Sequence, residues 1–349
     1  MGCLLYRRCW LLFLALICLG GCVYQGPRAT PDEVREYESR LVGRAFRYRA
    51  SLWRRVVSVG YHLLQYIPPR FRQGNYPYVG LLVVDADEQV RSAFGLPEGR
   101  YPVIVEKVEG TSCEKLDVEP GTVLLAVNGY RVKSCQEYQK VLSTLIPGRF
   151  VQFDFWSEGR IFPRMVKVDS RPRQVDFYMS SDAEINAMAT PNAVIVTYGM
   201  MRFLQSDDEL AVVLGHEIAH ILLAHHVQHM GVDLVSGLFG TILSNKLEEV
   251  LPGLGSVLAG MGRDAVTSGY SRELEMQADY WGLYLAYRAG YDIDVGKDIW
   301  ERFAVEVPES MIESFWRTHP TSLERRAYIE KIVRQFKAGI FPDDGNTKD

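Results

Sequence analysis

Residues 212–226 read VVLGHEIAHILLAHH, five ionisable side chains set into a run that is otherwise apolar. The intervening residues Val212, Val213, Leu214, Ile218, Ala219, Ile221, Leu222 and Leu223 leave no polar face, so a helix built from them is buried. Buried imidazoles and carboxylates require partners, because an unsatisfied polar group in a core is costly. On a helix, His216 and His220 stand one turn apart on one face, and Glu217 lies about 100° around from His216. Two histidines at i and i+4 with a glutamate after the first form a zinc-binding pattern with a general base beside it. Ser206-Asp207-Asp208-Glu209 has the form of a capping box, which starts a helix just ahead of the pattern.

Zinc in a catalytic site takes three protein ligands and leaves a fourth position for water. Downstream, residues 269–282 read GYSRELEMQADYWG, with Glu275 and Asp279 again at i and i+4 on one helix face. With Glu275, Ala278 and Asp279 the chain carries H-E-x-x-H followed by E-x-x-A-D. In this it resembles the gluzincin metallopeptidases related to HtpX, BepA and the Ste-type CAAX prenyl protease. Two further features match: Ile185-Asn186-Ala187-Met188 ahead of the motif, with Met188 in place of the usual aromatic, and Thr318-His319-Pro320 followed by Arg325 and Arg326. The likeness runs over roughly residues 175–335. It implies one zinc per chain held by His216, His220 and Glu275, Glu217 as general base, and Asp279 orienting a ligand histidine. His225 is read as structural, and His226 and His229 as surface residues. For His319 two roles are open, a fourth ligand that keeps the site latent or an oxyanion donor. Pro320 biases it to an extended backbone.

The chain has 349 residues, 47% of them hydrophobic, enough for two domains with real cores. A net charge of −4 argues against nucleic acid as a partner. Near the start, Arg7 and Arg8 precede the apolar run Trp10–Leu19, too short to span a bilayer but of signal-peptide length. It ends LGGC at residues 19–22, similar to a bacterial lipobox with Cys22 as the lipidated residue. Val23 rather than aspartate implies sorting to the outer membrane. The longest later candidate span, residues 231–262, is interrupted by Asp233, Lys246, Glu248 and Glu249, unlike the membrane-embedded relatives. Its glycine-studded sequence is expected to form short helices over the cleft.

Thr30-Pro31-Asp32-Glu33 opens a helix expected to reach Tyr66 and to stop at Pro68-Pro69. Its arginines (Arg44, Arg47, Arg49, Arg54, Arg55) suit either anionic lipid or a helix packed on the rest of the protein. From Tyr78 to Val168 the pattern turns to short strands, at 79–84, 103–108 and 122–127, with a tight turn at Asn128-Gly129. A helix capped by Ser134 and a hairpin around Glu158-Gly159 follow. Residues 105–142 resemble an HtrA-type PDZ domain, although Gly121-Thr122 replaces the usual Gly-Asp. Such a domain binds an extended peptide, often a C-terminus, as an added strand. Cys113 and Cys135 suit either a disulfide or two buried thiols.

The expected architecture is therefore α+β. It runs as a leader (1–21), an anchor and N-terminal helix (22–75), a β-rich PDZ-like domain (76–170), a mainly helical zincin-type peptidase domain with a small sheet at 184–190 and 193–198 (171–335), and a tail (336–349). The expected function is a zinc endopeptidase of the bacterial cell envelope acting on misfolded or misassembled proteins, lipid-anchored in the periplasm. The alternative is a PDZ-bearing chaperone or assembly factor with a mostly latent protease site.

Overall fold

A computed structural model describes residues 27–225, 270–306 and 323–342. The described residues fall into two units, one up to Leu41 and one from Val42 on. The described part of the first is exposed and contains the start of helix α1 (Pro31–Gln65). There Thr30 and Glu33 exchange the hydrogen bonds of a capping box, from Thr30 N to Glu33 Oε2 at 2.7 Å and from Glu33 N to Thr30 Oγ1 at 3.3 Å.

In the larger unit, strands β1 (Tyr76–Tyr78), β2 (Leu81–Asp85) and helix α2 (Glu88–Phe94) come first. Strands β3 (Pro102–Lys107), β4 (Val123–Val127) and β5 (Tyr130–Arg131), helix α3 (Cys135–Leu142) and strands β6 (Phe150–Ser157), β7 (Arg160–Lys167) and β8 (Asp169–Arg171) follow. Strands β2, β3, β4, β6 and β7 lie side by side in that order, with β5 paired to β4, all antiparallel. Asn128 and Gly129 both take positive φ (53° and 81°), as do Glu158 and Gly159 (49° and 78°). Those are the left-handed pairs that two-residue hairpins demand. Helix α2 was not expected, although its ends are well marked: the Asp87 side chain accepts from Val90 N and Gly95 closes it at φ 64°. Cys113 and Cys135 are both free, and Cys113 is buried. Burial pushes the Cys113 thiol up to about 12 and raises that of Cys135 as well, so both stay protonated.

The rest of the unit begins with strands β9 (Asp176–Ser180), β10 (Ala187–Ala189) and β11 (Ala193–Thr197) and helix α4 (Tyr198–Phe203). Helices α5 (Asp207–Leu222), α6 (Arg272–Arg288), α7 (Val295–Glu306) and α8 (Leu323–Lys337) complete it. The sheet order is β10–β11–β9, with β9 parallel to β11 and β10 an edge. Strand β10 starts later than the sequence suggests. Before it, the Thr197 hydroxyl meets the carbonyls of Glu184 and Asn186 at 2.5 and 2.9 Å and accepts from Asn186 N at 3.0 Å, and Asn186 O also accepts from Thr197 N at 3.0 Å. Helix α1 packs on this sheet from within the same unit. The Trp53 indole donates to Phe177 O at 2.9 Å, and a Cβ at Gly60 would lie 2.5 Å from the Phe177 ring. Its arginines find protein partners: Arg47 donates to Ala93 O, Arg54 pairs with Glu106 and Glu109, and Arg55 with Asp207. The packed-helix reading thus accounts for these three residues.

Candidate metal centre

Helix α5 starts as its sequence requires. The Ser206 hydroxyl accepts from Glu209 N at 3.1 Å, and Glu209 Oε2 accepts from Gln205 N at 2.7 Å. Glu209 is further gripped by both guanidinium nitrogens of Arg302 at 2.6 and 2.8 Å. Burial alone would raise the Glu209 carboxyl, but Arg302 and the cap outweigh it and hold it below its ordinary value. Helix α6 is capped in the same way by Ser271, whose hydroxyl accepts from Leu274 N.

The two helices meet backbone to backbone. A Cβ on Gly215 would sit 2.6 Å from Gly282 O, and one on Gly282 would sit 2.6 Å from His216 N. Only paired glycines permit this approach, and it falls beside the first histidine of the motif. The side chains of Glu275 and Asp279 are thereby brought to the His216 ring.

His216, His220 and Glu275 are all buried, and each contributes a ligand atom to a group lying within 4.8 Å. His216 Nε2 and His220 Nε2 are 3.0 Å apart, and each lies 3.5 Å from a Glu275 oxygen. Ligands about 2.0–2.1 Å from zinc at tetrahedral angles stand about 3.3–3.4 Å from one another. The observed triangle brackets that spacing, and two nitrogens and one carboxylate are a donor set zinc accepts. The residues present fit the ion.

A second layer fixes the first. Asp279 Oδ1 accepts from His216 Nδ1 at 3.0 Å, which turns the Nε2 lone pair toward the cluster. Asp279 is itself clamped by Arg325, through Nε at 2.6 Å and Nη2 at 2.8 Å, and Arg325 Nη1 stands 2.7 Å from Glu275 Oε2. Burial by itself would raise the Asp279 carboxyl; Arg325 and His216 outweigh it and hold it below its ordinary value. Burial by itself would lower Arg325; Asp279, Glu275 and Glu217 together outweigh it and hold it above its ordinary value. Glu217 is 1% exposed and stands outside the three-atom group, in the field of Tyr270 and Arg325. The Tyr270 ring stacks on His220 at 4.0 Å between centroids, and burial raises its phenol well above the ordinary value.

Sequence reasoning named His216, His220, Glu217, Glu275 and Asp279, and the fold brings all five into one buried cluster. It placed Arg325 and Arg326 together and gave neither a part in the site. Arg325 is 2% exposed at its centre, while Arg326 is only half-buried and pairs with Glu301. His225, read as structural, is fully buried against His220, with their Nδ1 atoms 2.9 Å apart. Cys22, His226, His229, the 231–262 segment and His319 lie outside the described residues.

A buried His–His–Glu triad beside a further buried carboxylate is the donor set of a metallopeptidase. The family model for peptidase family M48 matches residues 159–333, half of the chain. The chain belongs to that family. It is 29% identical over 166 residues to the mitochondrial metalloendopeptidase OMA1 of Arabidopsis thaliana, covering 44% of this chain and 33% of that one. It is 25% identical over 181 residues to the metalloprotease YcaL of Escherichia coli, covering 49% of this chain and 66% of that one. The first curated relatives are thus matched over only about a third to a half of their length. Among solved structures, the HtrA-type protease AlgW with a decapeptide aligns at a TM-score of 0.27 and 16% identity, over 28% of this chain and 30% of that one.

Proposed function

We propose that this chain is a zinc-dependent endopeptidase of the bacterial cell envelope that cleaves misfolded or misassembled proteins. The observation that carries the reading is the convergence of His216, His220 and Glu275 with Glu217 buried beside them. Zinc held by the three ligands supplies a Lewis acid for the scissile carbonyl and lowers the pKa of water toward ~7. Glu217 takes the proton of the attacking water and delivers it to the leaving amine. Asp279, held by Arg325, keeps His216 in the tautomer that offers Nε2. Strand β10, an edge beside α5, offers backbone groups to an extended substrate. Full-length protein should cleave unfolded casein, lose that activity to a chelator and regain it with zinc. Activity that survives complete removal of metal overturns the assignment.

The envelope setting rests on the lipobox-like LGGC at residues 19–22 and on the likeness, 27% identical over 174 residues, to a putative beta-barrel assembly-enhancing protease of Vibrio cholerae. Among the described residues no helix is long and apolar enough to cross a membrane. Lipid attachment at Cys22 with outer-membrane sorting completes the reading, and Cys22→Ser should shift the protein out of the outer-membrane fraction. The β-rich region serves as a PDZ-like receptor for peptide C-termini, and its deletion should change which proteins are cut. A chaperone or assembly role with a mostly latent site is the second reading, favoured by that same region. It would survive Glu217→Gln, whereas the peptidase role would not. His319 acts as a plug if His319→Ala raises basal proteolysis, and as an oxyanion donor if it lowers kcat with zinc retained.

A further inference from the structure

The two histidines of the motif are supported differently. His216 donates its second nitrogen to a carboxylate, Asp279. Among the described contacts of His220, the second nitrogen meets another imidazole, with His220 Nδ1 and His225 Nδ1 at 2.9 Å. His225 reaches that position because α5 ends at Leu222 and Ala224 then takes φ 54°. A non-glycine residue in the left-handed region is disfavoured, because its Cβ crowds the following carbonyl oxygen. Here it reverses the chain and drops His225, 0% exposed, back beside the last turn of α5. The far nitrogen, Nε2, lies 3.4 Å from Gln277 Oε1, and Gln277 sits on α6 between Glu275 and Asp279.

We propose that His225 is a positioning residue for the metal: it accepts the Nδ1 proton of His220 and so commits the His220 Nε2 lone pair to the ion. The proposal rests on the zinc reading given above. If His220 Nε2 carries the ion, its only proton is on Nδ1. That proton points at His225 Nδ1, which must then be the lone-pair atom. His225 consequently holds its own proton on Nε2 and turns it toward Gln277 Oε1. Each link of the chain from His220 to Gln277 has one direction only, and metal occupancy sets it. Helix α6 therefore carries one ligand, Glu275, and the outer end of the support for both histidines, Asp279 and Gln277. Gln277 is exposed and its contact is long, so water can take its place; the buried His225 link cannot be replaced in that way.

The experiment compares the full-length protein with His225→Leu and His225→Gln, measuring zinc affinity by competition with a chromophoric chelator. Loss of an outer-shell partner to a metal-binding histidine typically weakens metal binding by about 10–100-fold. His225→Leu should show that loss. His225→Gln, whose carbonyl oxygen can accept the same proton, should recover most of it, a rescue that mere space-filling would not produce. Nitrogen-detected NMR of the zinc-loaded wild type supplies the second readout, needing no variant to fold. It should show His220 protonated on Nδ1 and His225 on Nε2. Wild-type zinc affinity in His225→Leu, equal loss in the Leu and Gln variants, or the opposite His225 tautomer each overturns the proposal. If the wild type itself takes up no zinc, the metal reading fails instead.

Discussion

Arg325 gives the sharpest stability test, because three short contacts tie its almost fully buried guanidinium to the buried acids Asp279 and Glu275. In Arg325→Met, Asp279 loses both arms of its clamp, at 2.6 and 2.8 Å, and Glu275 loses a partner at 2.7 Å. Methionine fills much of the volume, so cavity formation is a minor part of the effect. Removing one partner of a buried ion pair costs about 3–5 kcal/mol, since the remaining charge stays buried without compensation. At roughly 2–4 °C per kcal/mol for a domain of this size, melting should fall by roughly 6–20 °C. The assay is thermal unfolding of metal-free protein followed by circular dichroism at neutral pH. Arg325→Lys should recover only part of the loss, because an ammonium cannot present a fork to a carboxylate. In the double variant Arg325→Met with Asp279→Asn, the two losses should be clearly less than additive. A methionine variant that melts with the wild type, or strictly additive losses, would refute the clamp.

Three further outcomes follow from the geometry. Gly282→Ala places a methyl 2.6 Å from His216 N, so α5 and α6 must separate; zinc affinity measured by chelator competition should fall below that of the wild type, and unchanged affinity would mean the close approach does not position the ligands. Ala224→Gly should raise melting slightly, by up to about 1 kcal/mol of stability, because glycine adopts positive φ without the Cβ clash; a drop would mean the strain assigned to this turn is absent. Glu209 has a folded pKa below its unfolded value of about 4.3, so the stability it lends is present above that value and lost as pH falls through the folded pKa. The melting difference between wild type and Glu209→Gln should therefore be full at neutral pH and vanish in acid; a difference that grows on acidification would reverse the assignment.

Much of this was legible in the sequence because local rules governed it. Ser134, Ser206 and Ser271 cap their helices through their own hydroxyls, and Asn128-Gly129 and Glu158-Gly159 turn their hairpins. The i and i+4 spacings fixed which faces His216, His220, Glu275 and Asp279 share. Helix α2 went unread although Asp87 and Gly95 mark its ends, because a seven-residue helix carries too little periodicity to stand out. The deeper omissions are tertiary. Nothing in Leu323–Lys337 distinguishes Arg325, 2% exposed, from its half-buried neighbour Arg326; only the packing of α8 on α6 selects one. The Gly215–Gly282 contact joins residues far apart in the chain, and each glycine alone reads as a weak spot in a helix. His225 lay one residue past a left-handed alanine that no propensity would place there.

The central claim is that three side chains hold the metal while a fourth does the proton transfer. The most direct test is the zinc content of purified wild type, Glu217→Gln and Glu275→Gln, determined alongside casein cleavage. The account predicts one zinc per chain and cleavage in the wild type, one zinc and no cleavage in Glu217→Gln, and loss of both in Glu275→Gln. Full loss of zinc from Glu217→Gln with zinc retained by Glu275→Gln would contradict it, exchanging the ligand and the base.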